Sequence, residues 1–370
     1  MDPNVRSVSD LTAELRRIDG RPYGAYKDLA SRQFAFEGVN SPGCPFILRV
    51  EHVQSDSYAP PSRMSVSVRW ADAGFSEDLR SSKTRSVALC DFLARTFCAR
   101  CASVGADQGA GRGGNWNAAK GGELVMDQPG QHVLERTAVF LSPDGERVEA
   151  RFCVALPAAG RTILGKQAAQ ILTATLPSIV RDALVAAGSW IDVDRVGAHA
   201  DSTEAQVALR AAVVANEGVA FVRNGARLPR ASGADDAPME GEGVVLFASP
   251  PEMERTFEVP HAGAITGMFV PRGITLIVGG GFHGKTTLLK ALELGVYVGE
   301  RERTGERGEE RGGERKRGRR RRKNGEREPE TDRQRDRQTG RQSNRQQTRE
   351  IYGQRKGTQK KTHAGTHTHT

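Results

Sequence analysis

A sharp change of composition after Tyr297 limits how much of this chain can fold. Residues 298–370 contain only four hydrophobic residues, Val298, Ile351, Tyr352 and Ala364. A segment this polar cannot bury enough apolar surface to offset the conformational entropy that it would lose on folding. We therefore expect residues 298–370 to be a disordered tail of low complexity, and we expect the folded core to lie within residues 1–297.

The charge of the chain divides at the same place. The whole chain has 54 Lys+Arg and 45 Asp+Glu residues, of which residues 298–370 hold 23 and 12. The preceding 297 residues hold 31 and 33, so the body is close to neutral and the basic character belongs to the tail. Overall charge therefore gives no reason to assign nucleic-acid binding to the body.

The tail has two interpretations. Glu and Arg alternate near residues 301–303, and Thr and His alternate over residues 366–370. Dinucleotide DNA repeats encode such patterns, and we therefore favour the hypothesis that the tail is translated repeat DNA. The alternative is an arginine-rich segment that binds RNA through contacts with its phosphates.

Cysteine content and hydropathy indicate the compartment. The chain has five cysteines, an odd number and few for its length, so a disulfide framework is not expected. The N-terminus lacks the apolar stretch of a secretory signal, and no run approaches the ~18 apolar residues that a membrane helix needs. We expect a soluble protein without membrane spans, in the cytoplasm or an organelle.

Hydrophobic periodicity predicts an α/β fold. The predicted helices are residues 8–33 with an end at Gly20, 86–101, 165–187, and a helix that ends near Gly218. The predicted strands are residues 46–53 and 65–70, with hairpins at 137–141/148–156 and 219–223/226–228. Asp201 and Glu204 have the spacing of a capping box ahead of the last helix. We predict an N-terminal α+β domain over residues 1–160 and the first part of a second domain over residues 161–297.

The second domain contains the most informative motif. Thr275–Val278 is a short apolar, β-branched run typical of a buried parallel strand, and Lys285–Leu294 has helical composition. Between them, Gly279 to Thr286 matches G-x-x-x-x-G-K-[ST] in the strand–loop–helix order that a Walker A P-loop requires. The alternative is a glycine-rich turn with an incidental lysine, but motif and context together favour binding of a nucleotide's phosphates.

Each position of this loop has a physical role in holding phosphate. The glycines allow backbone N–H groups to surround the β-phosphate, and the start of the following helix adds further N–H groups and a positive dipole end. Lys285 would contact the β- and γ-phosphates, and the Thr286 hydroxyl would hold Mg²⁺. The predicted nucleotide-binding residues are Gly279, Gly280, Gly281, Phe282, His283, Gly284, Lys285, Thr286 and Thr287.

Two other groups of residues could form sites, but their contexts favour structural roles. Cys98 and Cys101 form a lone C-x-x-C on a predicted helix, where a core position is favoured over a metal or redox site. His52 and Asp56 follow a predicted strand, where such residues more often cap a turn than form a site.

Several short segments, taken in order, resemble one family. They are RIDGR at 17–21, EHVQSD at 51–56, DQPGQ at 127–131, LERT at 134–137 and GM at 267–268, which leads into the loop at 279–287. This pattern is similar to that of the predicted ATPases of the ABC class, stand-alone proteins without membrane spans. The resemblance covers most of residues 10–297.

The resemblance implies an N-terminal domain followed by an ABC-type nucleotide domain, with ATP and Mg²⁺ bound at residues 279–287. It also implies that the complete domain hydrolyses ATP and pairs as a homodimer with two facing sites. The resemblance also makes RNA a candidate partner, because some members of this family are associated with RNA binding.

The chain departs from the family after Tyr297. The family's Gln loop, Leu-Ser-Gly-Gly-type signature, second acidic motif and switch histidine follow the phosphate loop, and none is found here. We therefore expect a C-terminally truncated ATPase that binds ATP and is deficient in hydrolysis. The alternatives are a non-catalytic protein that binds RNA through its tail and a scaffold that keeps the loop as a structural turn.

Overall fold

The computed structural model describes residues 5–37, 44–108, 119–232, 235–241, 243–281 and 283–299. Over these ranges the chain is a mixed α/β protein, as predicted. Phe282 and residues 300–370 lie outside the described residues, so the predicted disorder of residues 300–370 stays a prediction. Val298 and Gly299, the first two residues of the predicted tail, are instead hydrogen-bonded to the body. No helix in the described ranges is long and apolar enough to cross a membrane.

The helices and strands follow one another along the whole body. The helices are α1 (Val8–Arg17), α2 (Trp70–Ala73), α3 (Lys83–Ser103), α4 (Gly165–Gln170), α5 (Leu176–Leu184), α6 (Val193–Ala215) and α7 (Lys285–Leu294). The strands are β1 (Val5–Ser7), β2 (Gln33–Phe36), β3 (Phe46–His52), β4 (Ser62–Arg69), β5 (Ala119–Lys120), β6 (Leu124–Val125), β7 (Val139–Leu141), β8 (Arg147–Val154), β9 (Ala158–Ala159), β10 (Thr162–Ile163), β11 (Gly218–Arg223), β12 (Arg230–Ser232), β13 (Asp235–Pro238), β14 (Glu254–Val259) and β15 (Gly263–Pro271).

The larger sheet organises the N-terminal part. Among the described residues it has seven strands in the order β1-β2-β3-β4-β8-β6, with β7 also paired to β8. The β1–β2 pair is parallel and the other pairs are antiparallel. Met64–Val68 of the central strand β4 is buried at every position, so both faces of the sheet are covered there. The predicted strands at 46–53 and 65–70 are confirmed.

The first helix begins where it was predicted and ends three residues before Gly20. Ser7 caps α1: its hydroxyl accepts a hydrogen bond from the Asp10 amide at 3.2 Å, and the Asp10 carboxylate accepts one from the Ser7 amide at 2.9 Å. Ser7 and Asp10 therefore form a capping box. The helix ends at Arg17, and a 3₁₀ turn and β2 occupy the rest of the predicted helical range 8–33.

The α3 helix and the first predicted hairpin are confirmed. α3 extends the predicted 86–101 helix by a few residues at each end. β7 and β8 pair antiparallel, and Gly145 in the turn between them has φ +74°, which only glycine adopts at little cost. The predicted helix at 165–187 is α4 and α5 joined by a π turn at Ile171–Thr175, with Pro177 in the first turn of α5.

The predicted capping box at Asp201 and Glu204 is wrong. α6 begins at Val193 and is capped by Asp192, so both residues lie inside it. Residues three apart share one face of a helix, and both carboxylates accept hydrogen bonds at 2.8 Å from the buried guanidinium of Arg85 in α3. Their spacing therefore places both carboxylates of α6 against Arg85, and the three residues form an ion-pair cluster between α3 and α6.

A smaller sheet supports the second half of the chain. It has the order β11-β15-β14 and is antiparallel. Apolar residues of α6 pack on one face, around Val259 and Ile265. Leu288 and Leu292 of α7 pack on the other face, with Val222 and Met268.

The second predicted hairpin, 219–223 with 226–228, is wrong. β11 occupies the first predicted strand, but its partner is β15, more than forty residues later, and residues 226–228 form no strand. Asn224-Gly225 does form a turn directly after β11, but a turn does not determine which strand completes the pair.

The main hydrophobic core continues across the predicted domain division. Its buried residues run from Val8 to Ala200 without a break at residue 160. Two smaller clusters lie on the two faces of the second sheet. The division into domains at residue 160 stays a prediction.

Candidate phosphate-binding site

The predicted phosphate loop connects β15 to α7. Gly279 and Gly284 both have positive φ, +155° and +77°. Residues with a Cβ rarely adopt these conformations, so the backbone path requires glycine at both ends of the loop. Gly284 is also the N-terminal cap position of α7, which places the end of the loop directly at the start of the helix.

Lys285 folds back over the loop. Its ammonium donates hydrogen bonds to the carbonyl oxygens of Gly279 at 2.8 Å and Gly280 at 2.5 Å. A lysine ammonium has three donors, so these bonds fix its position on the loop and leave donor capacity for a ligand oxygen. A Cβ on Gly280 would lie 3.1 Å from the imidazole of His283, which shows how closely the ring approaches this part of the loop.

The first turn of α7 keeps its backbone donors available. Among the described residues no side chain caps this helix, and its first helical backbone bond runs from the Leu288 amide to the Gly284 carbonyl at 2.9 Å. The amides of Lys285, Thr286 and Thr287 therefore have no partner within the helix. Uncapped amides and the positive end of the helix dipole together form an anion-binding site, and the arrangement fits a phosphate.

The described loop residues form one continuous segment, interrupted at Phe282. Gly279–Gly281 and His283–Thr287 are contiguous at the start of α7, and Thr286 is exposed with no hydrogen bond from its hydroxyl to any described residue. Phe282 lies outside the described residues. The Thr286 hydroxyl is free to act as a ligand to a Mg²⁺ ion that accompanies nucleotide phosphates.

The strand predicted before the loop, Thr275–Val278, is not formed. These residues are outside every strand, and the side chains of Ile274, Leu276 and Val278 are 103%, 80% and 75% exposed. A parallel strand is held by neighbours on both sides, and no described strand lies beside this segment. Its β-branched and apolar composition is therefore not sufficient to produce a strand here.

We expect this exposed apolar segment to promote aggregation, because unpaired apolar strand sequences pair with one another between chains. Leu276→Lys should raise the fraction of protein that stays soluble on expression, as measured by light scattering and sedimentation. Thr275→Lys is the matched control, since it adds the same charge without removing apolar surface. Equal gains from both variants would show that charge alone, and not the loss of apolar surface, is responsible.

A large cavity lies at the opposite end of α7 from the loop. Its volume is about 930 Å³, and its lining includes Cys98 of α3, Gln128, Gln131, Arg227 and Tyr297. Residues 279–287 do not line it. The cavity is therefore separate from the phosphate site. The C-terminal end of α7 lines the cavity, and the N-terminal end of the same helix follows the phosphate loop.

Sequence reasoning missed a buried ionic group beside this cavity. Asp91 of α3 has a fully buried side chain and accepts hydrogen bonds of 2.6 Å from both Arg95 and Arg136. His199 Nε2 lies 3.5 Å from the same carboxylate. Burial alone raises the pKa of Asp91, but the neighbouring His199 and Arg95 outweigh it and hold the pKa below its ordinary value. The Asp91–Arg95 spacing of four residues was visible in the sequence, but its burial was not.

Cys98, Cys101 and Asp56 lie in settings that are typical of structural roles. Cys101 is buried and Cys98 is half-buried, and burial raises the pKa values of their thiols to about 12 and about 11, so both stay protonated near neutral pH. Asp56 accepts a hydrogen bond from the Tyr58 amide at 3.1 Å, which is a local turn. Within the described ranges no cluster of His, Cys, Asp and Glu has the arrangement of a metal site.

Comparison with protein families agrees with this architecture. A model described as the N-terminal part of ATPases of the ABC class matches residues 8–187, and a model described as the P-loop domain of an ABC ATPase matches residues 192–301. The chain belongs to the ATPases of the ABC class. The two matches meet just before α6 and place the loop of this ABC-class ATPase inside the P-loop domain. No curated protein matches the chain.

Proposed function

We propose that this ABC-class ATPase binds ATP together with Mg²⁺ at Gly279–Thr287. The observation that carries the proposal is the combination of an uncapped α7 N-terminus with the Lys285 ammonium bonded to the Gly279 and Gly280 carbonyls. Backbone amides would hold the phosphate oxygens, and Lys285 would neutralise the β- and γ-phosphates. When bound, Mg²⁺ would neutralise phosphate charge and be held by the Thr286 hydroxyl.

We further propose that the chain with this sequence binds ATP without turning it over, whereas the complete family domain hydrolyses it. Hydrolysis requires an acidic residue that holds Mg²⁺ and water, and a group that orients the attacking water. The sequence of residues 298–370 contains no Leu-Ser-Gly-Gly-type signature and no run of apolar residues followed by an acidic residue. Phosphate release above background would contradict this part of the proposal.

Thermal unfolding with and without ATP and Mg²⁺ tests the binding. A ligand at 100 times its Kd stabilises the folded state by about 2.7 kcal/mol, so we expect a clear rise in Tm. Lys285→Ala removes charge-assisted hydrogen bonds of about 1.5–3 kcal/mol and should weaken ATP binding roughly 10-fold to 100-fold. Lys290→Ala, an exposed lysine on the same helix, is the matched control and should leave the affinity unchanged.

Two other outcomes would contradict the proposal. A protein whose Tm does not respond to ATP would indicate that the loop is only a structural turn. Equal losses of affinity in Lys285→Ala and Lys290→Ala would indicate non-specific attraction of ATP to the helix. The expectations of RNA binding by the tail and of a homodimer rest on the sequence and the resemblance, and they stay predictions.

A further inference from the structure

The segment that follows α7 is held tightly by the rest of the body. Gln206 of α6 both accepts a hydrogen bond from the Gly299 amide at 2.9 Å and donates one to the Gly299 carbonyl at 3.0 Å. Arg210, one turn further along α6, donates to the Gly295 carbonyl at 3.0 Å. Gly295 is the C-terminal cap of α7, so a guanidinium lies where the helix dipole favours positive charge.

The N-terminal part of the chain holds the same segment from another direction. The Val133 amide donates to the Val298 carbonyl at 2.8 Å. The rings of His132 and Tyr297 lie 5.0 Å apart between centroids. We call the contacts of residues 132, 133, 206 and 210 with residues 295–299 the α7 clamp.

The α7 clamp is itself connected to the buried ionic group. Arg95 donates to the Gly130 carbonyl at 2.6 Å, and Arg136 donates to the His132 carbonyl at 2.9 Å. Both arginines are held by Asp91. The backbone that carries His132 and Val133 is therefore fixed to the core of the N-terminal part.

α6 connects the two parts of the molecule. Val196 and Ala200, near its start, belong to the main core, whereas Ala205 and Leu209 pack on the second sheet. Gln206 and Arg210 lie on this second half. The helix that they hold, α7, has ten residues and a length of about 15 Å, with the phosphate loop at its other end.

From these contacts we propose that Gln206 and Arg210 are positioning residues for the phosphate loop. They fix the C-terminal end of α7 and the segment after it to α6. His132 and Val133 of the N-terminal part contact the same segment, so the orientation of α7 that favours nucleotide binding is coupled to their contacts. The inference rests on the proposed binding of ATP. Coupling of this kind is reciprocal: nucleotide at the loop stabilises the α7 clamp, and loss of the clamp weakens nucleotide binding.

The test combines ATP affinity with hydrogen exchange of the Val133 amide in the full chain. The double variant Gln206→Leu, Arg210→Met removes the three hydrogen bonds that these side chains make with Gly295 and Gly299, and the weaker Gln206–Ser202 bond within α6, and it keeps most of the side-chain volume. It should weaken ATP binding about tenfold. Each lost hydrogen bond contributes about 1 kcal/mol, and only part of this total free energy reaches the phosphate loop as lost affinity, for which about 1.4 kcal/mol corresponds to tenfold. In the unaltered protein ATP should slow exchange at Val133, and in the double variant this effect of ATP should be lost.

Two control variants separate positioning from general destabilisation. Arg195→Met makes the same substitution at an exposed position of α6 and should change neither ATP affinity nor the effect of ATP on Val133. Arg210→Lys leaves Gln206 unchanged and keeps a cation near the end of α7. It should therefore bind ATP with most of the affinity of the unaltered protein.

Each result bears on one of the two proposals. If the unaltered protein and the double variant bind ATP equally and ATP slows Val133 exchange equally in both, the coupling is overturned while the binding function stands. If the unaltered protein does not bind ATP, the proposed function is overturned, and the coupling with it. A double variant that loses affinity but keeps the ATP-dependent protection of Val133 would also overturn the coupling.

Discussion

Asp91→Ala should lower the free energy of unfolding by about 3–5 kcal/mol, the range expected when one partner of a buried ion pair is removed. The carboxylate is fully buried and neutralises the partly buried guanidinium groups of Arg95 and Arg136. Without it, both cations stay in a partly buried site, where they donate to the carbonyl oxygens of Gly130 and His132 and their charges are no longer neutralised by Asp91. For a folded body of this size the fall in Tm should be roughly 10 °C.

The matched control is Glu135→Ala. Glu135 pairs with Lys83 at 2.7 Å, but both side chains are well exposed, and such surface pairs contribute about 0–1 kcal/mol. Chemical denaturation of the two variants and the unaltered protein measures the difference. A loss at Asp91 no larger than the loss at Glu135 would show that the arginines find other compensation.

The same carboxylate gives a pH dependence with a definite sign. Because the folded-state pKa of Asp91 lies below the ordinary value of 3.8, its contribution to stability is present above about pH 4 and is lost as the pH falls through the folded-state pKa. The acid-side decline in stability should therefore be shallower in Asp91→Ala than in the unaltered protein.

Sequence patterns were sufficient to predict the elements that are determined by interactions between residues close together in the sequence. The phosphate loop, α7 and α3 were predictable because glycine conformations, motif spacing and helical periodicity act over a few residues. The β7–β8 hairpin was predictable for the same reason, since its turn joins adjacent strands.

The contacts that failed to be predicted are those between distant residues. β11 pairs with β15, although Asn224-Gly225 directly follows it. Arg85 and Asp201 are 116 residues apart in the sequence, so the spacing of Asp201 and Glu204 was read as a helix cap. Thr275–Val278 has strand composition but lacks neighbouring strands among the described residues. In each case the tertiary partner, and not the local propensity, decides the structure.

Gly267→Ala is expected to have the second large effect, because it disturbs the sheet on which α7 rests. Gly267 pairs with Arg223 across β15 and β11. A Cβ at this position would lie 2.2 Å from the Val222 carbonyl oxygen and 2.8 Å from the ring of Phe221. The two strands would have to separate, and such overpacking typically costs about 1–3 kcal/mol.

The effect should extend to the phosphate loop. Met268, the next residue, packs with Val222 against Leu288 and Leu292 of α7, so a displaced β15 displaces the surface that supports this helix. Denaturant unfolding and ATP affinity, measured on the same samples, should both decline. Gly197→Ala in α6 is the control: a Cβ there meets no atom within 4 Å, and alanine should stabilise the helix by up to about 1 kcal/mol. If Gly267→Ala lost stability but kept its ATP affinity, α7 would be held in place by the α7 clamp and not by the sheet beneath it.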